Sequence, residues 1–497
     1  MNDVVEAARP AQTGAKTVQE YIDELPAWSD GTRLKSSPMT TMQWRIWGLA
    51  AAGKFFEGYA VFMTGVALPL IARQFGIGAA EKGIVSSASL FGILIGALFL
   101  GGMADYFGRK RMFIAEMILF CAFLALLILS SNFLALTICL FGLGMALGCD
   151  YPTAHMIISE SIPSSARGKL VLGAFAFQAI GALSGTIMGC LVLVLDPELD
   201  AWRWMYATAL VPAIIVTIGR FFITESANWL AVRGQHDKAE EAVSKLLHRH
   251  PRYPSAVTLH RGEPGPQVKD ETRAKPSFAA LFNRRNRRAT IFASAPWFIQ
   301  DLGTYGIGIF TPTILAAALG GGSDHIRSLS DLVSDGILAA KGAALITSLL
   351  ILGIAFAIAL ADSLGRIKLQ IFGFLGCAVG LAIASFSIDF AGSTQIFLIF
   401  AGFMLFNFMT NIGPNAQTYL LAGEVFPTEV RGMGAGLAAA VAKIGAVMTA
   451  FLFPILLASI GTRFLLYGLV VTSVLGAVVT WIYRIETTGV NLDEIGK

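Results

Sequence analysis

Twelve apolar stretches of membrane-crossing length, set as six and six around one polar interval, leave a chain of this kind few folds to adopt. They run near 45 to 72, 84 to 104, 112 to 131, 134 to 158, 170 to 195 and 202 to 223, then near 289 to 318, 340 to 361, 369 to 388, 395 to 420, 432 to 459 and 462 to 484. A bilayer core is crossed by about 20 apolar residues of helix, and helices and closed barrels alone satisfy their backbone polar groups within it. Only 14% of the 497 residues are charged, against about 25% in soluble domains. The expected fold class is all-α integral membrane, with twelve transmembrane helices in two six-helix bundles. The expected divisions are a cytoplasmic segment 1–44, a bundle 45–224, a linker 225–288 with short helices, a second bundle 289–485 and a tail 486–497.

Charge fixes the orientation and excludes several functions. Loops after even-numbered stretches carry Arg109, Lys110, Arg111, Arg167, Lys169, Arg366, Lys368 and Arg431, whereas those after stretches five and seven carry Asp196, Glu198, Asp200, Asp324, Asp331 and Asp335. The positive-inside rule then puts the even loops and both termini in the cytoplasm of a cell with the chain in its inner or plasma membrane. The polar first forty residues lack a signal-peptide pattern. Net charge is only +4, and no basic tract is interleaved with stacking aromatics, so nucleic acid is not an expected partner. Five cysteines, all in apolar runs, read as buried hydrophobes. No metal-protease, phosphate-loop or serine-elbow motif occurs, so neither catalytic residues nor a metal or cofactor are expected.

The halves repeat. Asp105-x-x-Gly108-Arg109 returns as Asp362-x-x-Gly365-Arg366, Glu160 with Arg167 returns as Glu424 with Arg431, and Glu225-Ser226 returns as Glu486-Thr487, at offsets of 257, 264 and 261 residues. Carboxylates and guanidiniums at helix ends on one face can pair bidentately, and these eight (Asp105, Arg109, Glu160, Arg167, Asp362, Arg366, Glu424, Arg431) are expected to latch the two bundles together in one state. On these marks the chain resembles the major facilitator superfamily, which implies alternating access between two bundles. Gly148-Cys149-Asp150-Tyr151-Pro152, Trp297-x-x-x-Asp301-x-x-x-Tyr305 and Asn411-x-Gly413-Pro414-Asn415 are similar to the phosphate:proton symporter branch. That resemblance implies Tyr151, Gln178, Trp297, Asp301, Tyr305 and Asn415 around the substrate, Glu57 and Asp150 as proton-coupling carboxylates, and Lys443 as the cation of the eleventh span.

The residues themselves support a site. An ionisable group at a helix centre costs about 2.5 to 3.5 kcal/mol on insertion scales, so those retained usually pair, face a cavity or carry function. Lys54 and Glu57 stand one turn apart and can pair. Asp150 precedes Pro152, whose ring breaks the backbone ladder and opens a hydratable place for a proton-carrying carboxylate. Trp297, Asp301 and Tyr305 share one helical stripe; Asn411 and Asn415 share another, while Asn407 reads as packing. Lys443 needs an acidic partner, Asp301 being the natural one, or an anionic ligand. His155 reads as packing and Glu116 as an unremarkable near-interface residue. The function expected is a proton-driven symporter importing inorganic phosphate or a similar small anion, a single chain sufficing. Alternatives are a symporter of the same fold for an organic acid, sugar or polyol, and a receptor that binds without transport.

Overall fold

The computed structural model describes residues 16–25, 38–100, 103–248, 257–259, 278–319, 329–427 and 430–486, without the side chains of Asp105, Tyr151, Leu319 and Asp362. The expected latch residues Asp105 and Asp362, the expected ligand Tyr151 and the loop acid Asp324 therefore lie outside the described side chains. Among the described residues ten helical segments are long and apolar enough to cross a membrane. One of these, Arg431–Tyr483, is two spans joined at Gly461, where φ is 76°. Arg287–Leu319, more polar through Pro296, Gln300, Asp301 and Pro312, makes the twelfth.

The spans are α1 Thr41–Phe75, α2 Ala79–Leu100, α3 Arg109–Ile128, α4 Phe133–Ser161, α5 Ser164–Leu195 and α6 Ala201–Phe221. The second six are α7 Arg287–Leu319, α8 Leu329–Leu364, α9 Arg366–Phe386, α10 Ser393–Ala422, and α11 and α12 on either side of Gly461. Local chemistry sets several ends. Thr40 caps α1 in a reciprocal box with Gln43, satisfying two orphan donors. The glycines of the repeated motif, Gly108 and Gly365, stand at φ 103° and 88° immediately before α3 and α9. A residue with a Cβ is strained there, so the repeat preserves a turn as well as charges. Glu225 lies against that first turn and accepts from the N–H of Lys110 at 2.9 Å, capping α3.

α8 starts well before the expected residue 340, which puts Asp331 and Asp335 on its first turns rather than in a loop; acidic residues at a helix start are favoured by the helix dipole. α10 breaks at Gly413 before Pro414. The main packing is α1 on α5 and α2 on α4 in the first half, α7 on α11 and α9 on α10 in the second. The halves meet along α2 with α11, α5 with α8 and α1 with α7. At the last contact the α carbon of Gly65 lies so near the carbonyl of Ile309 that no Cβ fits, which seals this end of the bundle. At the opposite end, short helices Val18–Asp23, Ala227–Val232 and His236–Leu246 share an apolar cluster with the ends of α1, α4 and α5.

Candidate functional site

The middle of the membrane-spanning region holds a buried, charged cluster drawn from four helices. From α1, Glu57 accepts from Lys54 at 3.0 Å, from Gln178 of α5 at 3.2 Å and from the hydroxyl of Tyr305 on α7 at 3.1 Å. Lys443 of α11 donates to the Tyr305 oxygen at 2.8 Å, lies 3.4 Å from Asp301 and 3.5 Å from Glu57, and sits 4.6 Å from the Tyr305 ring centre. Gln178 also donates to Tyr305 at 3.1 Å. All the charged members are at most 5% exposed. The Lys54–Glu57 and Lys443–Asp301 pairs are both present, and Tyr305 ties them together across the boundary between the halves. In so dry a place Coulomb attraction is strong and an uncompensated charge is costly. Two ammoniums and two carboxylates balance.

Asp150 lies beside this cluster rather than in it. Its carboxylate accepts from Arg220 of α6 at 2.7 Å and fills the space a side chain at Gly53 would need. Arg220 is fully buried and also donates to Glu116 of α3 at 2.6 Å, to the Phe113 carbonyl at 2.6 Å and to the Leu49 carbonyl at 3.3 Å, with its guanidinium 3.4 Å from the Phe113 ring centre. The sequence reading of Glu116 as unremarkable is wrong: it is 3% exposed and bound to the arginine. Arg220 stands in the last turn of its span, where a cation ordinarily snorkels to the interface, so its place in the sequence does not mark it. The usable signal was its position inside the sixth apolar stretch together with Glu116 and Asp150 in two others. Here one guanidinium faces two carboxylates, so this triad carries one negative charge in excess when all are ionised.

Asn411 donates to the Leu350 carbonyl at 2.8 Å, and Asn415 donates to Asn411 at 2.5 Å across the break in α10; Asn407 donates to Phe403 of its own helix. Asn411 and Asn415 line a cavity with Gln178, Thr304, Tyr305 and Phe62 that holds about 20 Å³, room for about one water. Toward the ends that carry the termini, an aromatic layer closes the space. Tyr419 of α10 stacks on Phe175 of α5 at 4.7 Å and meets Trp297 of α7 edge-on at 6.1 Å. His155 of α4 lies beyond, 6.4 Å from the same ring, and is exposed. Trp297 thus belongs to this closing layer, and Tyr419, which sequence reading missed among many apolar-span aromatics, is its centre.

Among the described contacts, charged helix ends pair within each half. Arg109 pairs with Glu160 at 3.2 Å within the first six helices, and Ser226 also bonds Glu160. Arg366 pairs with Glu424 within the second six. Arg167 donates to Gln19 of the short helix Val18–Asp23 at 3.1 Å, and Arg431 to the Phe426 carbonyl at 3.2 Å. These described pairs clamp α3 to α4 and α9 to α10.

Known proteins are similar to this chain over most of its length. The family described as sugar (and other) transporter matches residues 48–497. Among similar proteins are the inner membrane metabolite transport protein YgcS of Escherichia coli, 28% identical with 94% of this chain and 96% of that protein covered, and the "Probable inorganic phosphate transporter 1-12" of rice, 27% identical with 90% of each covered. The glucose transporter GlcP of Staphylococcus epidermidis is 26% identical, covering 92% and 97%. The xylose transporter XylE of Escherichia coli in a partially occluded inward-open conformation superposes with a TM-score of 0.72 at 19% identity, over 91% of this chain and all of that one. The likeness shows the fold, that of the major facilitator superfamily. Matched over nine-tenths of its length and folded as twelve membrane spans, this chain is no enzyme but a multi-pass membrane transporter belonging to the sugar (and other) transporter family.

Proposed function

We propose that the chain is a proton-coupled symporter that imports a small oxyanion of the inorganic phosphate class by alternating access, working as a single chain in the inner or plasma membrane with both termini cytoplasmic. The observation that carries this reading is Lys443, buried and within reach of Asp301, Glu57 and the Tyr305 hydroxyl at once. A neutral cluster of two ammoniums and two carboxylates gives an arriving anion no net attraction. Protonating Glu57 or Asp301 leaves it one positive charge in excess, so the proton and the anion favour each other's entry. The amides of Gln178, Asn411 and Asn415 then supply donors to the oxyanion, and a ligand hydroxyl donates to whichever carboxylate remains ionised. The Asp150–Arg220–Glu116 triad is a second place for a proton, between the cluster and α3. One extra positive charge entering gains about 2.3 kcal/mol per 100 mV, enough to drive accumulation.

A second reading, a sugar or polyol symporter, is favoured by the neutral amides lining the cavity and by the glucose and xylose transporters among the similar proteins. Melting of the purified chain against phosphate, small carboxylates and hexoses decides between the readings, since a ligand at 100 times its Kd adds about 2.7 kcal/mol. Stabilisation by phosphate and not by hexoses is expected; the reverse overturns the anion assignment. Counterflow in proteoliposomes separates transport from mere binding.

A further inference from the structure

We propose that a basic pocket where the start of α7, the start of α9 and the end of α12 meet binds an anionic phospholipid. It is an open cavity of about 490 Å³ lined by Arg288, Ile367, Trp481, Ile482, Arg484 and Glu486. Both guanidiniums are held in place. Arg288 donates to the Arg484 carbonyl at 2.9 Å and the Tyr483 carbonyl at 3.4 Å, and Arg484 donates to the Trp481 carbonyl at 2.8 Å with its guanidinium 5.4 Å from the Trp481 ring centre. An arginine has five N–H donors in a planar fork, so each keeps donors for a phosphodiester, which it binds bidentately. The side-chain entropy that usually opposes such binding is already spent by these carbonyl contacts.

The rest of the pocket has the shape of an amphiphile. Trp481 and Ile482 are 60% and 53% exposed beside the guanidiniums, at the end of a membrane span where tryptophan marks the headgroup level. A free phosphate would use the arginines and leave this apolar wall in water; a phospholipid uses both. Arg284, Arg285, Arg287 and Lys368 are exposed within a turn of the lining residues, against one carboxylate in the lining, Glu486. That excess selects a headgroup with net negative charge over a zwitterionic one. Basic residues at a membrane surface attract anionic lipid by about a factor of five each, and a fixed pocket adds position to that attraction.

The test is native mass spectrometry of the full chain in detergent with phosphatidylglycerol or phosphatidylcholine added, read as retained lipid against lipid concentration. Phosphatidylglycerol is expected to be retained and phosphatidylcholine not. Arg288→Gln should weaken retention about fivefold and Arg288→Gln with Arg484→Gln about 25-fold, while Arg463→Gln at the far end of α12 leaves it unchanged. Should the double variant not fold, Arg484→Gln alone, whose guanidinium bonds and packs on Trp481 of its own helix, makes the same test. Equal retention of the two lipids, or unchanged retention in the arginine variants, overturns the proposal. So does displacement of the lipid by inorganic phosphate at equal concentration, which would mark a free-anion site.

Discussion

Replacing Arg220 removes a side chain that fastens α6 to α1, α3 and α4 at once. It contributes two ion pairs at 2.6 and 2.7 Å and two bonds to backbone carbonyls, all from a position with no exposure. In Arg220→Met the two carboxylates of Glu116 and Asp150 would be left buried and unpaired, and breaking a buried pair from one side costs about 3 to 5 kcal/mol. An exposed pair such as Arg463 with Asp389 contributes about 0.2 to 1 kcal/mol, which makes Arg463→Gln the matched control. Because the cost comes from stranded charge, Arg220→Met combined with Asp150→Asn and Glu116→Gln should recover most of it; neutralising all three leaves no ion to desolvate. Denaturant titration of purified protein in detergent, followed by circular dichroism, measures all the variants. A loss in Arg220→Met within 1 kcal/mol of that in Arg463→Gln, or a triple variant as unstable as the single one, would refute the reasoning.

Lys443→Gln should weaken phosphate binding by about 1.5 to 3 kcal/mol, the range for hydrogen bonds to charged groups, in calorimetry at fixed salt; unchanged affinity there removes the anion assignment. Glu57→Gln and Asp150→Asn should each abolish pH-driven uptake while sparing counterflow, so uphill transport persisting in both assigns the proton elsewhere. Tyr419→Ala should speed amide exchange around Phe175 and Gln178 by opening the aromatic layer, and Tyr419→Phe should not. At the ends that carry the termini, Asp23 accepts from the N–H and hydroxyl of Ser164 at 2.7 Å each, capping α5 from another helix. Partial burial pushes that carboxyl up, but the bonds from Ser164 and Gln19 and the Arg167 charge outweigh it and hold it below its ordinary 3.8. A depressed folded value means docking is fully supported above 3.8 and lost as pH falls through the folded value. Protection of residues 16–25 from exchange should therefore drop only in that acid range, and Asp23→Ala should cost about 1 kcal/mol at neutral pH.

The spans were legible because a bilayer demands length and apolarity of every helix, and the break in α10 was legible because Gly413-Pro414 admits no continuous ladder. The start of α8 was not: polarity at 329–339 reads as loop when the helix simply continues beyond the apolar region. Lys54–Glu57 could be paired by one-turn spacing, whereas Arg220, Glu116 and Asp150 come from α6, α3 and α4, and no sequence interval encodes their meeting. The latch arginines show the same limit from the other side. Their motif repeats faithfully, but the partners they take, Glu160 for Arg109 and Glu424 for Arg366, come from another helix end that the spacing alone does not bring near.

Charge balance also sets a proton requirement for anion binding under the proposed function. The central cluster and the triad together hold Lys54, Lys443 and Arg220 against Glu57, Asp301, Asp150 and Glu116, three cations and four carboxylates in a region nearly closed to water. With all ionised the region is negative and repels the anion it is proposed to carry. One proton makes it neutral and a second makes it positive, so anion affinity should rise with each proton bound. Glu116→Gln supplies the first neutralisation permanently. In that variant anion binding should require one proton fewer, and the slope of log affinity against pH should fall by up to one unit while the affinity at the acid end stays within a few fold. A slope unchanged from the parent would mean that the triad holds helices together and takes no part in coupling.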